Sequence, residues 1–309
     1  MSTLIFGHKN PDTDTIMGAI TLAEFEKQNG NTDVEAVALG EPNAETKFAL
    51  DFFKLNPLRV VKTVANETDH VELVDHNEAQ QSVDDRADVT IDKVIDHHRV
   101  ANFETAAPLY MRVEPLGSAN SVIYKMFKEK GFTISPVIAG CMASGLMSDT
   151  LLLKSPTTTD EDRAMFADLQ KIADVDLKDY GMKMLKAGTN LAARSDKDII
   201  DGDAKSFTMG GKLVRIDQVN TVDLNDIYER QDNIVAAMQA EKDAEKYDLF
   251  VVIATDIMNS NSTAFALGEK DKLEDAFGKK FDANDRLDLP GVVSRKKQVV
   301  PVLTDSFEK

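Results

Sequence analysis

The chain has 309 residues, 42% hydrophobic and 29% charged, with 53 acidic residues against 36 basic ones and a formal net charge of −17. That balance excludes a general nucleic-acid-binding or membrane-binding surface, since both need basic faces to meet phosphates, so neither is an expected partner and an anionic substrate must be held locally. A single cysteine, Cys141, excludes an intramolecular disulfide and a thiolate metal cluster, and suits a reducing cytoplasm.

Residues 3–6 read as a strand immediately after Ser2, and no signal peptide is expected. Up to about residue 100, short apolar runs at 4–6, 34–39, 71–74 and 94–95 alternate with helix-like stretches at 16–28, stopped by Gly30, and at 44–54 after Pro42. This alternation predicts βαβ units and a mostly parallel sheet. Further helices are expected over 118–130 before Gly131, over 137–147 and over 160–172. The apolar tract 137–153 carries Ser144, Ser148 and Asp149 and is too short and polar to span a bilayer.

Around Gly188, Thr189 and Asn190 the periodic signal fades, which predicts a flexible linker over 188–194 between a domain of residues 1–187 and a smaller one of 195–309. In the smaller domain, strand-like sequence runs over 207–219 around Gly210 and Gly211, a helix is expected over 224–245, and strands over 249–255 and 292–303. The expected fold class is α/β with two domains. The first is a mostly parallel sheet sandwiched by helices, the second is a smaller α/β domain, and the active site is expected in the cleft between them, with the linker as hinge.

All five histidines lie in the first 98 positions, and four of them (His8, His76, His97, His98) occur in aspartate-containing clusters where strands are expected to end. The carboxyl ends of strands in an open α/β sheet are where ligands bind. His8, Asp12 and Asp14 follow the first strand in a segment whose Pro11 disfavours helix, so a loop should display them. In isolation such a DxD is ordinary turn chemistry. Asp75, His76, Asn77 and Glu78 end a second strand, where the bland reading is again a turn. Asp96, His97 and His98 end a third, and adjacent side chains on an extended chain point to opposite faces, giving the two histidines different tasks. Asp149 closes an apolar stretch, where a carboxylate needs a cation or donors.

Four clusters at the ends of buried elements favour a metal centre over four accidents. Six ligands, namely His8, Asp12, Asp14, Asp75, His97 and Asp149, exceed one tetrahedral site and suit two metals sharing carboxylates. Mixed imidazole and carboxylate donors suit Mn2+, Fe2+, Co2+ or Zn2+ better than a site built only from oxygen would. Such a pair serves phosphorus–oxygen bond hydrolysis through a shared hydroxide. Ser294, Arg295, Lys296, Lys297 and Gln298 form a basic block in an acidic chain. Adjacent cations usually mark a solvated face or a blunted sheet edge, but beside a dinuclear centre they would bind phosphate oxygens.

The succession GHKNPDTDT, VDHNE, DHHR, SDT and SRKKQ resembles the family II inorganic pyrophosphatases, the manganese-dependent branch of the DHH phosphoesterases, over nearly the whole chain. The resemblance implies hydrolysis of diphosphate to two orthophosphates. It further implies two Mn2+ per subunit, with Asp75 and Asp149 bridging, His8 and Asp12 completing one site, and Asp14 and His97 the other. It implies that His98, Lys205, Arg295 and Lys296 bind diphosphate, that Mg2+ accompanies the substrate, and that the protein is a homodimer. Lys205 is selected by the resemblance alone, since its surroundings read as a surface lysine. The spacing from Asp96 to Asp149 leaves no room for an inserted nucleotide-binding region, so no adenylate regulation is expected. The alternative is a DHH-type phosphodiesterase acting on short oligonucleotides or cyclic dinucleotides. It is disfavoured because no histidine follows His98 and the chain has no tryptophan for base stacking.

Overall fold

A computed structural model describes residues 2–189 and 191–308, which form two compact units, 1–188 and 189–309. The first unit begins β1 (Thr3–Phe6), α1 (Thr13–Gln28), β2 (Val34–Ala38), α2 (Ala44–Phe52), β3 (Arg59–Val60), β4 (His70–Val74), β5 (Thr90–Asp96) and β6 (Tyr110–Val113). The remaining elements are α3 (Ala119–Lys130), α4 (Pro136–Asp149), α5 (Asp160–Ile172) and α6 (Leu177–Thr189).

All six strands run parallel in the order β3-β2-β1-β4-β5-β6. The strands are short and apolar because both sheet faces are covered: Leu4, Phe6, Val71, Leu73 and Val94 pack in one cluster, while Ile5 and Ile95 are likewise buried. Helix starts follow local chemistry. Asn43, Ser118 and Ser135 each accept a backbone N–H of the first turn, and Thr159 and Asp162 form a reciprocal capping box. The helix expected to end at Gly131 does so, with that glycine at φ +67°. Strand order reverses between β1 and β4, so the crevice for a ligand lies at the carboxyl ends of these strands.

The second unit contains α7 (Asp196–Asp201), β7 (Lys205–Met209), β8 (Lys212–Thr221), α8 (Asn225–Tyr228), α9 (Gln231–Glu245), β9 (Leu249–Asp256), β10 (Asn261–Gly268), α10 (Lys270–Phe277), β11 (Leu287–Pro290) and α11 (Val300–Glu308). Its five-stranded sheet has the order β11-β10-β9-β8-β7, with β8 and β9 parallel and the other pairs antiparallel. β9 is buried throughout, and separate apolar clusters cover the two sides of its sheet.

Of the segment expected to be a linker, Gly188 and Thr189 complete α6 and Leu191–Ala193 form a 3-10 turn, while Asn190 lies outside the described residues. The single helix expected over 224–245 is instead two, α8 and α9. At the break, the Arg230 guanidinium donates to the carbonyls of Leu191 and Arg194 and to Asp196, tertiary bonds that no local pattern announces. The strand expected over 292–303 is absent. After Gly291, at φ +76°, the chain makes a wide π-type turn over Arg295–Val299 and continues as α11. Side-chain amides, rather than a neighbouring strand, take up its backbone groups.

No helix among the described residues is long and apolar enough to cross a membrane.

Candidate metal centre

The ends of three strands, β1, β4 and β5, converge with the end of α4 in the first unit. Past β1, His8 lies in the loop that leads to Asp12. Asp12 has two tasks: Oδ1 caps α1 by accepting Thr15 N–H at 2.9 Å, while Oδ2 faces His8 Nε2 at 3.4 Å. Asp14, on the first turn of α1, is fully buried at the start of α3. It accepts Ser118 Oγ at 2.5 Å, Ala119 N–H at 2.7 Å and Asn120 Nδ2 at 2.7 Å, and its Oδ2 lies 3.9 Å from His97 Nε2. The start of a helix favours a carboxylate, through its free N–H groups and the dipole. The fit is close, for a Cβ added at Gly145 would stand 2.3 Å from Asp14 Oδ1.

Asp75 follows β4 at φ +60°, an uncommon conformation for a residue other than glycine, and is 1% exposed. Thr15 Oγ1 donates to its Oδ2 at 2.7 Å. The same Oδ2 is 3.5 Å from His8 Nε2, and Oδ1 is 3.2 Å from His97 Nε2. Asp149, at the end of α4, brings Oδ2 within 3.3 Å of His97 Nε2. The ligand atoms thus fall into groups that share Asp75: His8, Asp12 and Asp75 in one, Asp14, Asp75, His97 and Asp149 in another, and Asp75, His97 and the half-exposed His98 in a third that overlaps the second. Asp149 is gathered only with the second of these.

The histidines are aimed by their other nitrogens. His8 Nδ1 bonds the Lys9 carbonyl at 2.8 Å and His97 Nδ1 the Leu116 carbonyl at 3.0 Å, which makes each Nδ1–H the donor and turns Nε2 toward the carboxylates, where it could meet a metal. His98 is half-exposed and differs from its neighbour: its Nδ1 bonds Asp96 Oδ1 at 3.0 Å. His76 joins none of the groups. It is buried against Phe6 with Nδ1 on the Val74 carbonyl, and burial pushes its pKa down to about 4.

Electrostatically the cluster lacks positive charge. Burial, reinforced by the neighbouring Asp14 carboxylate, pushes Asp75 up to about 6 and raises Asp149 well above the usual carboxylate range. Burial alone would lower the His97 pKa, but the Asp149 and Asp75 carboxylates that face it outweigh burial and push it up to about 12. Asp75 Oδ1 and His97 Nε2 are buried without a hydrogen-bond partner. Both are ligand-type atoms, so the orphaned pair and the mixed donor set fit divalent transition metals.

In the second unit, Lys205 opens β7 and is exposed. Its Cα pairs in register with Ile216, whose carbonyl accepts Arg295 Nη1 at 3.5 Å. Arg295 Nη2 also donates to Asp203 at 3.0 Å, so the segment before Lys205 and the basic turn meet at one place in this unit. Lys296 is exposed beside them.

Two supporting residues were given no role by the sequence. Asp96 accepts the backbone N–H of His97 at 2.8 Å and of His98 at 3.1 Å on Oδ1, and Asn77 Nδ2 at 2.6 Å on Oδ2, so it shapes the turn instead of ligating. Glu45, from α2, accepts Thr13 Oγ1 at 2.7 Å and Ser148 Oγ at 2.5 Å, and burial raises its pKa. Only the DHH spacing pointed at Asp96, and nothing local pointed at Glu45.

Comparison with known proteins agrees along the chain. Residues 2–146 match the DHH family, N-terminal domain, and residues 182–306 match the DHHA2 domain. The chain is 56% identical over 305 residues to a Lactiplantibacillus plantarum protein described as a "probable manganese-dependent inorganic pyrophosphatase", with 98% of each chain covered. An Enterococcus faecalis protein of the same description is 55% identical over 305 residues, again covering 98% of each. Among solved structures, a candidate family II inorganic pyrophosphatase of Methanococcus jannaschii is 35% identical, covers all of both chains and superposes with a TM-score of 0.61.

Proposed function

The chain belongs to the family II, manganese-dependent inorganic pyrophosphatases of the DHH superfamily, and from that premise we propose that it hydrolyses inorganic diphosphate to two orthophosphates. The observation that carries this reading is the pair of ligand groups meeting at the buried, partly unpartnered carboxylate of Asp75.

In this reading two Mn2+ would be held per chain, one by His8 and Asp12 and the other by Asp14 and His97, with Asp75 common to both groups and Asp149 completing the set. Bound there, the ions supply acidity to water and positive charge to phosphoryl oxygens. Thr15 holds Asp75 in place through its hydroxyl, and Ser118, Ala119 and Asn120 hold Asp14, so neither carboxylate need reorganise during reaction. His98 turns Nδ1 to Asp96, which leaves Nε2 to meet a phosphate oxygen. Lys205, Arg295 and Lys296 are the remaining diphosphate-binding groups, Arg295 offering a planar fork and the lysines compact charge. Mg2+ enters with the substrate. The net charge of −17 and the buried Cys141 support a cytoplasmic enzyme for a small anion, with no nucleic-acid or membrane partner. The half-exposed Tyr110 on the outer strand β6 suits a homodimer, which light scattering would test.

The decisive assay is orthophosphate release from diphosphate by metal-stripped protein resupplied with Mn2+ and Mg2+, beside linear and cyclic dinucleotides. Rapid Mn2+-dependent release from diphosphate alone is expected. Cleavage of a dinucleotide with diphosphate untouched would move the assignment to the phosphodiesterases of the same superfamily.

A further inference from the structure

The side chain that organises the basic turn is uncharged. Gln218, half-buried on β8, accepts Arg295 N–H on Oε1 at 2.8 Å, and its Nε2 donates to the Val293 carbonyl at 3.0 Å and to Thr255 Oγ1 at 2.8 Å. Thr255, buried on β9, shares a 2.8 Å hydrogen bond with Ser262 Oγ of β10, which donates to the Val292 carbonyl at 2.7 Å. On the other side Gln298 Oε1 accepts the N–H groups of Val293 at 2.9 Å and Ser294 at 3.1 Å. The segment expected to be a strand is therefore held by side chains from β8 and β10, which Thr255 of β9 links, and by its own glutamine.

We propose that Gln218 is a positioning residue for Arg295, an inference that rests on the diphosphatase reading for its kinetic consequence. The argument is one of complementary roles. Asp203 and the Ile216 carbonyl hold the guanidinium end of Arg295, while Gln218 holds its backbone end, so both the origin and the direction of the side chain are fixed. A carboxamide is required because the site needs an acceptor for Arg295 N–H and a donor for Val293 O at once. A π-type turn adds to this dependence, since such turns are uncommon and are kept in place by tertiary contacts rather than by local preference.

The test compares manganese-loaded full-length wild type with Gln218→Leu, Gln218→Glu, Arg295→Ala and the double variant Arg295→Ala with Gln218→Leu. Gln218→Leu is expected to lower kcat/KM for magnesium diphosphate by roughly tenfold or more, as small misplacements of a binding group do, with manganese content unchanged. Gln218→Glu, which keeps the acceptor and loses the donor, should fall between it and wild type. In the Arg295→Ala background the Gln218→Leu loss should shrink several-fold, because the residue it acts through is gone. An equal loss in both backgrounds, or wild-type kinetics in either single Gln218 variant, would overturn the proposal. Hydrogen exchange supplies a readout independent of turnover. The peptide spanning 293–299 should exchange faster in Gln218→Leu while β9 does not change, and unaltered exchange there also overturns it. A wild type that leaves diphosphate intact would count against the diphosphatase reading, and the exchange result would still decide whether Gln218 holds the turn.

Discussion

Asp75 faces His8 with one carboxylate oxygen and His97 with the other, Oδ2 lying 3.5 Å from His8 Nε2 and Oδ1 3.2 Å from His97 Nε2. Both groups of ligand atoms therefore depend on it. Asp75→Ala should reduce diphosphate hydrolysis to background and lower bound Mn2+ per chain, read by elemental analysis after gel filtration. Without metal, the same variant should be at least as stable as metal-free wild type, because it removes one of several crowded buried carboxylates. Near-normal turnover would sink the shared-ligand assignment.

Gly145 tests how tightly Asp14 is seated. A Cβ there would stand 2.3 Å from Asp14 Oδ1 and 2.5 Å from Asn120 Nδ2, both in buried side chains already committed to hydrogen bonds. In an unconstrained helix, glycine to alanine would stabilise by about 1 kcal/mol. Here the methyl group must displace Asp14 or Asn120, so if Asp14 binds Mn2+ as proposed, Gly145→Ala should weaken that binding roughly 10- to 100-fold, the scale of changes around metal ligands. Calorimetric titration with Mn2+ measures this, and unchanged affinity would show that Asp14 has room to spare.

The separation between what could and could not be read beforehand is physical. His8, Asp75 and His97 were legible because a polar, ligand-type residue at the end of a short buried strand has few structural reasons to be there. Asp14 was legible as a candidate ligand, but its cradle was not: Ser118 and Asn120 lie more than a hundred positions away and meet it only because α1 packs beside α3. The parallel sheet followed from the alternation of apolar runs with amphipathic helices. The basic run of the second unit misled because its apolar flanks fit a strand. The outcome was decided by Gln218, 77 positions from Arg295 in sequence, whose amide offers the turn the partners a strand would have sought. Lys205 carried no local signal, and its place opposite Ile216 is visible only in the β7–β8 register.

Lys296→Ala separates substrate binding from metal binding. Lys296 lies in the second unit and every member of the ligand groups in the first, so its loss should leave Mn2+ content unchanged. Removing one group that stabilises developing charge typically costs roughly 100- to 1,000-fold, and an effect near the lower figure is expected for one of several cations. Parallel measurement of kcat/KM and metal content checks it. Loss of metal together with activity would mean that the lysine supports the fold instead of the substrate.

Beneath the ligand-bearing ends of β4 and β5, Lys93 is paired with Glu26 and lies 3.3 Å from Glu72, itself only 3% exposed. Burial pushes Glu72 from its ordinary 4.5 up to about 7, with the Lys93 ammonium opposing the shift and the Glu26 carboxylate adding to it. A carboxyl group whose pKa is raised by folding favours the folded state while protonated. That contribution is complete below pH 4.5 and is lost as pH rises through about 7. Glu72→Gln mimics the protonated form at every pH. Wild type and variant should therefore be similar near pH 4.5, with the variant gaining as pH rises, by at most roughly 3 kcal/mol from 1.36 kcal/mol per pKa unit. Urea denaturation of the manganese-loaded proteins across a pH series from about 5 to about 8 reads the difference, at pH values chosen to bracket the titration. A gap that stays flat with pH would show that Glu72 keeps its charge in the folded protein, held there by Lys93.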